Sequence, residues 1–401
     1  MLSDADEEIV VPVLVTVAPT LEADIDGNLP SVSFGGSDVA ADQADLLYNN
    51  GSVFGATDWT WRAESGDWRF FYFDVDAEVP AGTLFLANTT WDDEAPSTDI
   101  DTLVFGPSDD PEGQVLCGNC LFGAPYVLDT VGGSPNTNVG GGVWTFNTAT
   151  GGAQDLVAAP AQEGLHAIAL HQVLFDGGQF HTPFEVSLGS ATLDPSSVAI
   201  DTSVDADSFD ISFTSTVDLD GLSAEAFGLS QPQVLARNAV QDDPNNPSSA
   251  SVKEAFTISN ASTATFTTDL AGHDIDMFVV YDANSDGNFT NSEIVAASTT
   301  ATGVEFIELV RPPDGDYQVW VQGWSVSGTQ PFNLGIEIVQ GTDMTISGIP
   351  AGAIPAGTEV TLTVSFSKTM VVGETYFGEI LMGPTVAPTA LRVPVEITRT
   401  P

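Results

Sequence analysis

The chain has 401 residues, 42% of them hydrophobic, and eight Lys+Arg against 56 Asp+Glu give a formal net charge of −48. That length suggests about two to four domains with ample material for cores. The negative excess repels phosphate backbones and anionic lipid heads, which excludes nucleic acid as a partner and favours solubility and divalent cations.

No stretch of about 18 apolar residues occurs, so no membrane span is expected. The 38 Gly and 24 Pro punctuate short strand-like runs, the signature of sheets joined by turns. The N-terminus, Met1 to Glu8, is acidic where a signal peptide would be basic, as in a mature or excised chain. A strand follows at Val10, Val11, Val13, Val15 and Val17. Sequons at Asn50, Asn88, Asn260 and Asn288 permit glycosylation outside the cell. One helical turn is expected near Ser37 to Tyr48. Trp59 and Trp61 alternate onto one face, which suits a core strand as well as a sugar-stacking one. The run from Trp68 to Val75 reads as a strand.

Cys117 and Cys120 are the only cysteines. No helix start follows them, Leu121 stands where a haem-attachment His would be, and His is scarce for zinc. The pair is therefore expected as a local disulfide in an oxidising compartment.

An internal repeat organises the chain. Asp99-Ile100-Asp101-Thr102-Leu103-Val104 matches Asp274-Ile275-Asp276-Met277-Phe278-Val279. Gly164 to Leu170 matches Gly315 to Val321, and Pro183 to Leu188 matches Pro331 to Ile336. The first copy carries an insertion holding the cysteines and a Gly-rich stretch. A second repeat links Asp210 to Gly228 with Thr361 to Ile380, where Glu359 to Phe366 alternates strictly. The final strand, Leu391 to Thr398, resembles the Val10–Val17 strand, and the copy at 191–232 lacks an equivalent.

The expected fold class is all-β: tandem β-sandwich domains, jelly-roll-like and immunoglobulin/fibronectin-like. The expected divisions are an N-terminal strand at 1–20, a large sandwich at 21–190, and a small sandwich one strand short with a linker at 191–245. A second large sandwich at 246–340 and a C-terminal small one at 341–401 follow. A sandwich lacking a strand can accept one by β-augmentation, from its own chain or from a neighbour. Donation to a neighbour is head-to-tail and can grow a filament. Equally, Met1–Thr20 can be the end of a preceding domain in a longer precursor.

The strongest motif is Asp282-Ala283-Asn284-Ser285-Asp286-Gly287 running to Glu293, which fits the twelve-residue calcium loop. Asp282, Asn284 and Asp286 would supply side-chain oxygens, Asn288 a carbonyl and Glu293 a bidentate carboxylate. Its flanks read as strands, so the expected role is stabilisation by calcium rather than sensing. An Asx-rich hairpin without metal is the plainer alternative. The Asp99/Asp101 and Asp274/Asp276 pairs suit ligands or, preferably, backbone caps. No nucleophile elbow, P-loop, dinucleotide fingerprint or zinc-protease motif occurs, so no enzyme is expected.

The run Asp274 to Asp282, with Pro313 to Val321 and Pro331 to Leu334, resembles the pre-peptidase C-terminal domains of secreted subtilisin-like proteases. The Val-Pro-Val endings at Val11–Thr16 and Val393–Thr398 resemble the fibronectin type III-like domains of the same enzymes. The protease signatures themselves are absent. The resemblance implies an extracellular location, β-sandwich folds, and a role in attachment or surface anchoring. The expected function is an extracellular structural or adhesive surface protein, self-associating by strand donation. The alternative is an accessory region released from a protease precursor that binds a polysaccharide or protein polymer.

Overall fold

The computed structural model describes residues 20–23, 32–35, 46–48, 68–75, 79–91, 99–107, 128–133, 143–145, 154–174 and 181–401. These residues form three β-sandwiches with only two single-turn 3-10 helices. None of the described helices is long and apolar enough to cross a membrane. The Val10–Val17 strand, the Cys117/Cys120 pair and the Trp59/Trp61 pair lie outside the described residues.

The first sandwich contains β1 (Thr20–Ala23), β2 (Val32–Gly35), β3 (Leu46–Tyr48), β4 (Trp68–Val75), β5 (Thr83–Trp91), β6 (Asp99–Pro107) and β7 (Leu128–Gly133). It is completed by β9 (Gln154–Pro160), β10 (Gly164–Leu174) and β11 (His181–Asp194), while β8 (Val143–Thr145) leaves it to pair elsewhere. One sheet has the order β1-β4-β10-β6-β7; in the other, β11-β5-β9 is joined by β2 and β3 on β11. Residues 46–48, expected within a helical turn, are the strand β3, because pairing with His181–Pro183 satisfies their backbone. Phe71, Phe73, Phe85, Ile100, Ile168 and Val186 fill the core between the sheets.

The second large sandwich holds β15 (Gln233–Ala239), β16 (Val252–Ile258), β17 (Ala261–Thr268), β18 (Asp274–Tyr281), β19 (Ile294–Ser298), β20 (Phe306–Val310), β21 (Gly315–Ser325) and β22 (Gln330–Gln340). Its sheets have the orders β16-β21-β18-β19 and β15-β22-β17-β20-β8. The strand orders match those of the first sandwich, with β4-β10-β6-β7 standing where β16-β21-β18-β19 stand. Register is preserved too. Val104 faces Ile168 as Val279 faces Val319, and Thr89 faces Val186 as Thr268 faces Leu334. The internal repeat in the sequence is thus a repeat of topology and of pairing.

The two small segments do not form separate sandwiches. Strands β12 (Val198–Thr202), β13 (Ala206–Ser215) and β14 (Ser223–Ser230) combine with β23 (Met344–Ser347), β24 (Glu359–Ser367), β25 (Thr375–Gly383) and β26 (Leu391–Arg399). β13 pairs with β24 in one sheet; the other has the order β12-β26-β25-β14. The division into 191–245 and 341–401 is therefore replaced by one shared sandwich, into which the second large sandwich is inserted. The strand missing from 191–232 is supplied in cis: β26 lies between β12 and β25. The physical reason is complementarity. Each segment has too few apolar faces for a core, and interleaved they bury Ile211, Phe213, Leu362, Val364, Ile380, Val393 and Ile397 together.

Two features lock this arrangement. β11 pairs with β5 along most of its length and with β13 at its end, so one eight-stranded sheet runs from the first sandwich into the central one. The ends of the inserted sandwich are pinned where Ser230 Oγ donates to Gln340 O (3.0 Å) and accepts from Gln340 N (3.1 Å). The alternation expected along Glu359–Ser367 is observed, with Val360, Leu362, Val364 and Phe366 inward. Leu362 is fully buried, so Leu362→Ala should cost about 2–5 kcal/mol in denaturant unfolding, while Thr361→Ala on the exposed face stays within about 0.5 kcal/mol. Equal effects of the two changes would contradict the inward and outward assignment.

Candidate functional site

The loop 282–293 bridges β18 and β19. It leaves β18 at Asp282, whose N–H donates to Asp316 O across the sheet (3.0 Å). The buried Asp282 carboxylate accepts Asp286 N–H at Oδ1 (3.0 Å) and Gly287 N–H at Oδ2 (2.8 Å). Asn284 Oδ1 accepts the same Asp286 N–H (2.9 Å), and Asp286 Oδ1 accepts Asn288 N–H (2.7 Å). Gly287 sits at φ +76°, a left-handed conformation that a β-carbon would strain, so the sharp turn needs glycine here. Glu293 closes the loop: Oε2 accepts Thr290 N–H (2.9 Å) in a capping box, and Oε1 accepts Asn284 Nδ2 (3.1 Å).

The structure therefore brings Asp282, Asn284, Asp286 and Glu293 into one hydrogen-bonded loop, with Asn288 joined to it through its backbone N–H. The donor set is hard oxygen, which suits calcium in chemistry, and carboxylate oxygens engaged by one donor keep further lone pairs. The oxygens are held by the loop's own backbone and not gathered in a cage. Among the described residues, no group of three or more His, Cys, Asp or Glu side chains gathers closely enough to hold a metal ion.

A second polar feature was only partly legible. Asp101 and Asp276 occupy equivalent positions of β6 and β18, and each is 5% exposed. Each has a buried acid at the neighbouring sheet: Asp155, opposite Thr89 on β9, and Glu305, whose carbonyl accepts Thr268 N–H ahead of β20. Both large sandwiches thus keep two buried carboxylates at the same end. In the first, Asp155 Oδ2 accepts Thr102 N–H (3.2 Å). In the second, Glu305 accepts from Ser298 and Thr300 hydroxyls. Asp276 is not the backbone cap expected of it: it meets no hydrogen-bond donor among the described residues. Burial, with the nearby Asp274 and Glu305 carboxylates, pushes its pKa from the ordinary 3.8 up to about 7. Burial also raises Glu305, against its hydroxyl hydrogen bonds. The Asp-x-Asp repeat was visible in sequence; the acids at 155 and 305 were not, because they lie on another sheet.

Trp320 is buried beneath Lys253, whose Nζ lies 4.2 Å from the ring centroid, while Trp324 is exposed.

No known family model matches the sequence, and no curated protein matches it. Among solved structures the chain is similar to the crystal structure of tripeptidyl peptidase 2, at TM-score 0.36 and 10% identity over 96% of this chain and 31% of that one. It is also similar to the triple jelly roll protein of an archaeal virus turret (TM-score 0.21, 7% identity, 79% and 61% covered). A structure of Sulfolobus turreted icosahedral virus gives 0.19 and 7% identity, with 86% and 62% covered. The chain spans less than two thirds of each of these, and no argument about function is taken from them.

Protonation of Asp276 has a defined consequence. Its folded pKa lies above its unfolded value, so its contribution is present below about pH 4 and is lost as pH rises to about 7. Asp276→Asn should remove that loss. The variant's melting midpoint should exceed the parent's at about pH 8, by the equivalent of about 1–3 kcal/mol, and the gap should shrink towards about pH 5. Parallel melting curves at both pH values would contradict the assignment.

Proposed function

We propose that this chain is an extracellular, non-catalytic structural and adhesive array, stabilised by calcium at the 282–293 loop and self-associating through its N-terminal strand. The observation that carries the reading is the architecture. Three sandwiches are joined by one continuous eight-stranded sheet and by an insertion whose two ends are pinned together, which supports the reading of a stiff spacer. A net charge of −48 keeps such a spacer soluble and draws divalent cations to it. Self-association is supported by the likeness of Val10–Val17 to β26, an inner strand of the central sheet. β26 already fills the central sandwich in cis, so the donated strand must take an outer edge, such as that of β12 or β14.

A second reading is an accessory region of a secreted subtilisin-like protease that binds a polysaccharide or protein polymer. It is favoured by the preserved register of the two large sandwiches at the residues resembling pre-peptidase C-terminal domains.

Two experiments test these proposals. Removing Met1–Thr20 should abolish filaments seen by electron microscopy while leaving the melting midpoint in place; assembly identical to that of the full chain would remove strand donation. Calcium should raise the midpoint over chelator, with a gain of about 2.7 kcal/mol at a concentration about a hundredfold above the dissociation constant. Glu293→Gln, which preserves the capping box but not the bidentate carboxylate, should cancel that gain. An unchanged calcium response in this variant would place the ion elsewhere.

A further inference from the structure

Between the outer face of the β12-β26-β25 sheet and the outer face of the β22-β17-β20 sheet lies a cleft of about 350 Å³. Four carboxylates line it, each from a different strand: Glu308, Glu337, Glu379 and Glu396. One cation faces them. Arg392 donates through Nη1 and Nη2 to both oxygens of Glu308 (3.1 and 2.8 Å) and through Nε to Glu379 Oε1 (2.8 Å).

This leaves the cleft three negative charges in excess. Glu379 is 4% exposed, and its Oε2 is buried with no hydrogen-bond partner. Glu337 is half-buried and meets no donor among the described residues. Burial first, then repulsion from Glu379 and Glu308, raises its pKa above the ordinary carboxylate value. A buried carboxylate oxygen without a donor is costly, and Glu379 Oε2, with the half-buried Glu337 carboxylate lining the same cavity, defines a place for an incoming cation. The volume is many times the roughly 30 Å³ of a water molecule, far more than a bare ion needs. Pro394 and Val339 supply apolar wall for an alkyl stem.

We propose that this cleft binds a primary alkylammonium group, presented by a lysine side chain of a partner polypeptide. An ammonium carries three N–H donors, enough for Glu379 Oε2 and the Glu337 carboxylate with one to spare. The chain does not satisfy the site itself. Its two lysines are engaged elsewhere, Lys253 over the Trp320 ring and Lys368 with Asp343 at 2.7 Å. The partner is therefore a different, basic chain, whose approach the overall negative charge accelerates.

The test is calorimetric titration of the full chain with Nα-acetyl-lysine methylamide and with the norleucine analogue, which has the same stem and no charge. Saturable binding of the lysine compound alone is expected. Glu337→Gln, which leaves the Arg392 hydrogen bonds intact, should weaken it by about 10-fold without lowering the melting midpoint. Glu293→Gln in the calcium loop should leave it as in the parent. Absence of saturable heat, equal binding of norleucine, or indifference to Glu337→Gln overturns the proposal. So does displacement of the lysine compound by one equivalent of calcium in the Glu293→Gln background, which would mark a metal site.

Discussion

The pairing of β13 with β24 is the constraint on which the remaining architecture rests. These strands come from segments far apart in the chain: Thr363 Oγ1 donates to Asp210 Oδ1 across the ladder at 2.7 Å, 153 positions away. Bringing such distant segments together is less costly than it looks, since each doubling of a loop adds only about 0.6 kcal/mol of closure entropy. The cost falls further because the intervening segment is itself a folded sandwich whose ends, Ser230 and Gln340, touch. Once β13 and β24 are joined, the alternation of both strands dictates one inward face. The second sheet, β12-β26-β25-β14, must then cover it.

Charge is the second organising influence. With so few cations in the chain, most carboxylates can only be solvated, and those that are buried stand out. Among the described residues they fall in three places: the ends of the two large sandwiches, the 282–293 loop, and the cleft between the central sandwich and the inserted one. In the loop the backbone amides do the neutralising work. At Asp276 a proton does it near neutral pH. In the cleft Arg392 offsets one charge of four. These are different answers to the same electrostatic problem, and the cleft is the one with room for an alkyl stem behind the incoming charge.

Strand character, the repeat and the sharp turn at Gly287 in the 282–293 loop were legible in the sequence because each is written in short motifs. Glu359–Phe366 alternates visibly, and Asp99–Val104 matches Asp274–Val279, a likeness that the structure extends to the pairing register. The exchange between 198–230 and 344–399 was not legible. Period-two patterning tells which face of a strand is buried and says nothing about which strand pairs with it. The shortfall of one strand in 191–232 was real as a pattern; its remedy lay at the other end of the chain, in Leu391–Arg399. The cleft was hidden for a related reason. Glu308, Glu337, Glu379 and Glu396 are single acids in a chain full of them, and only the stacking of two outer sheet faces gathers them.

The most direct test of this account is native-state hydrogen exchange on the intact chain across a denaturant series. If the central sandwich is one cooperative unit built from both segments, amides of Ala206–Ser215 and Glu359–Ser367 will lose protection together, with one free energy and one denaturant dependence. Exchange of one strand while the other stays protected would mean that the two segments fold separately, and the shared sandwich would be wrong.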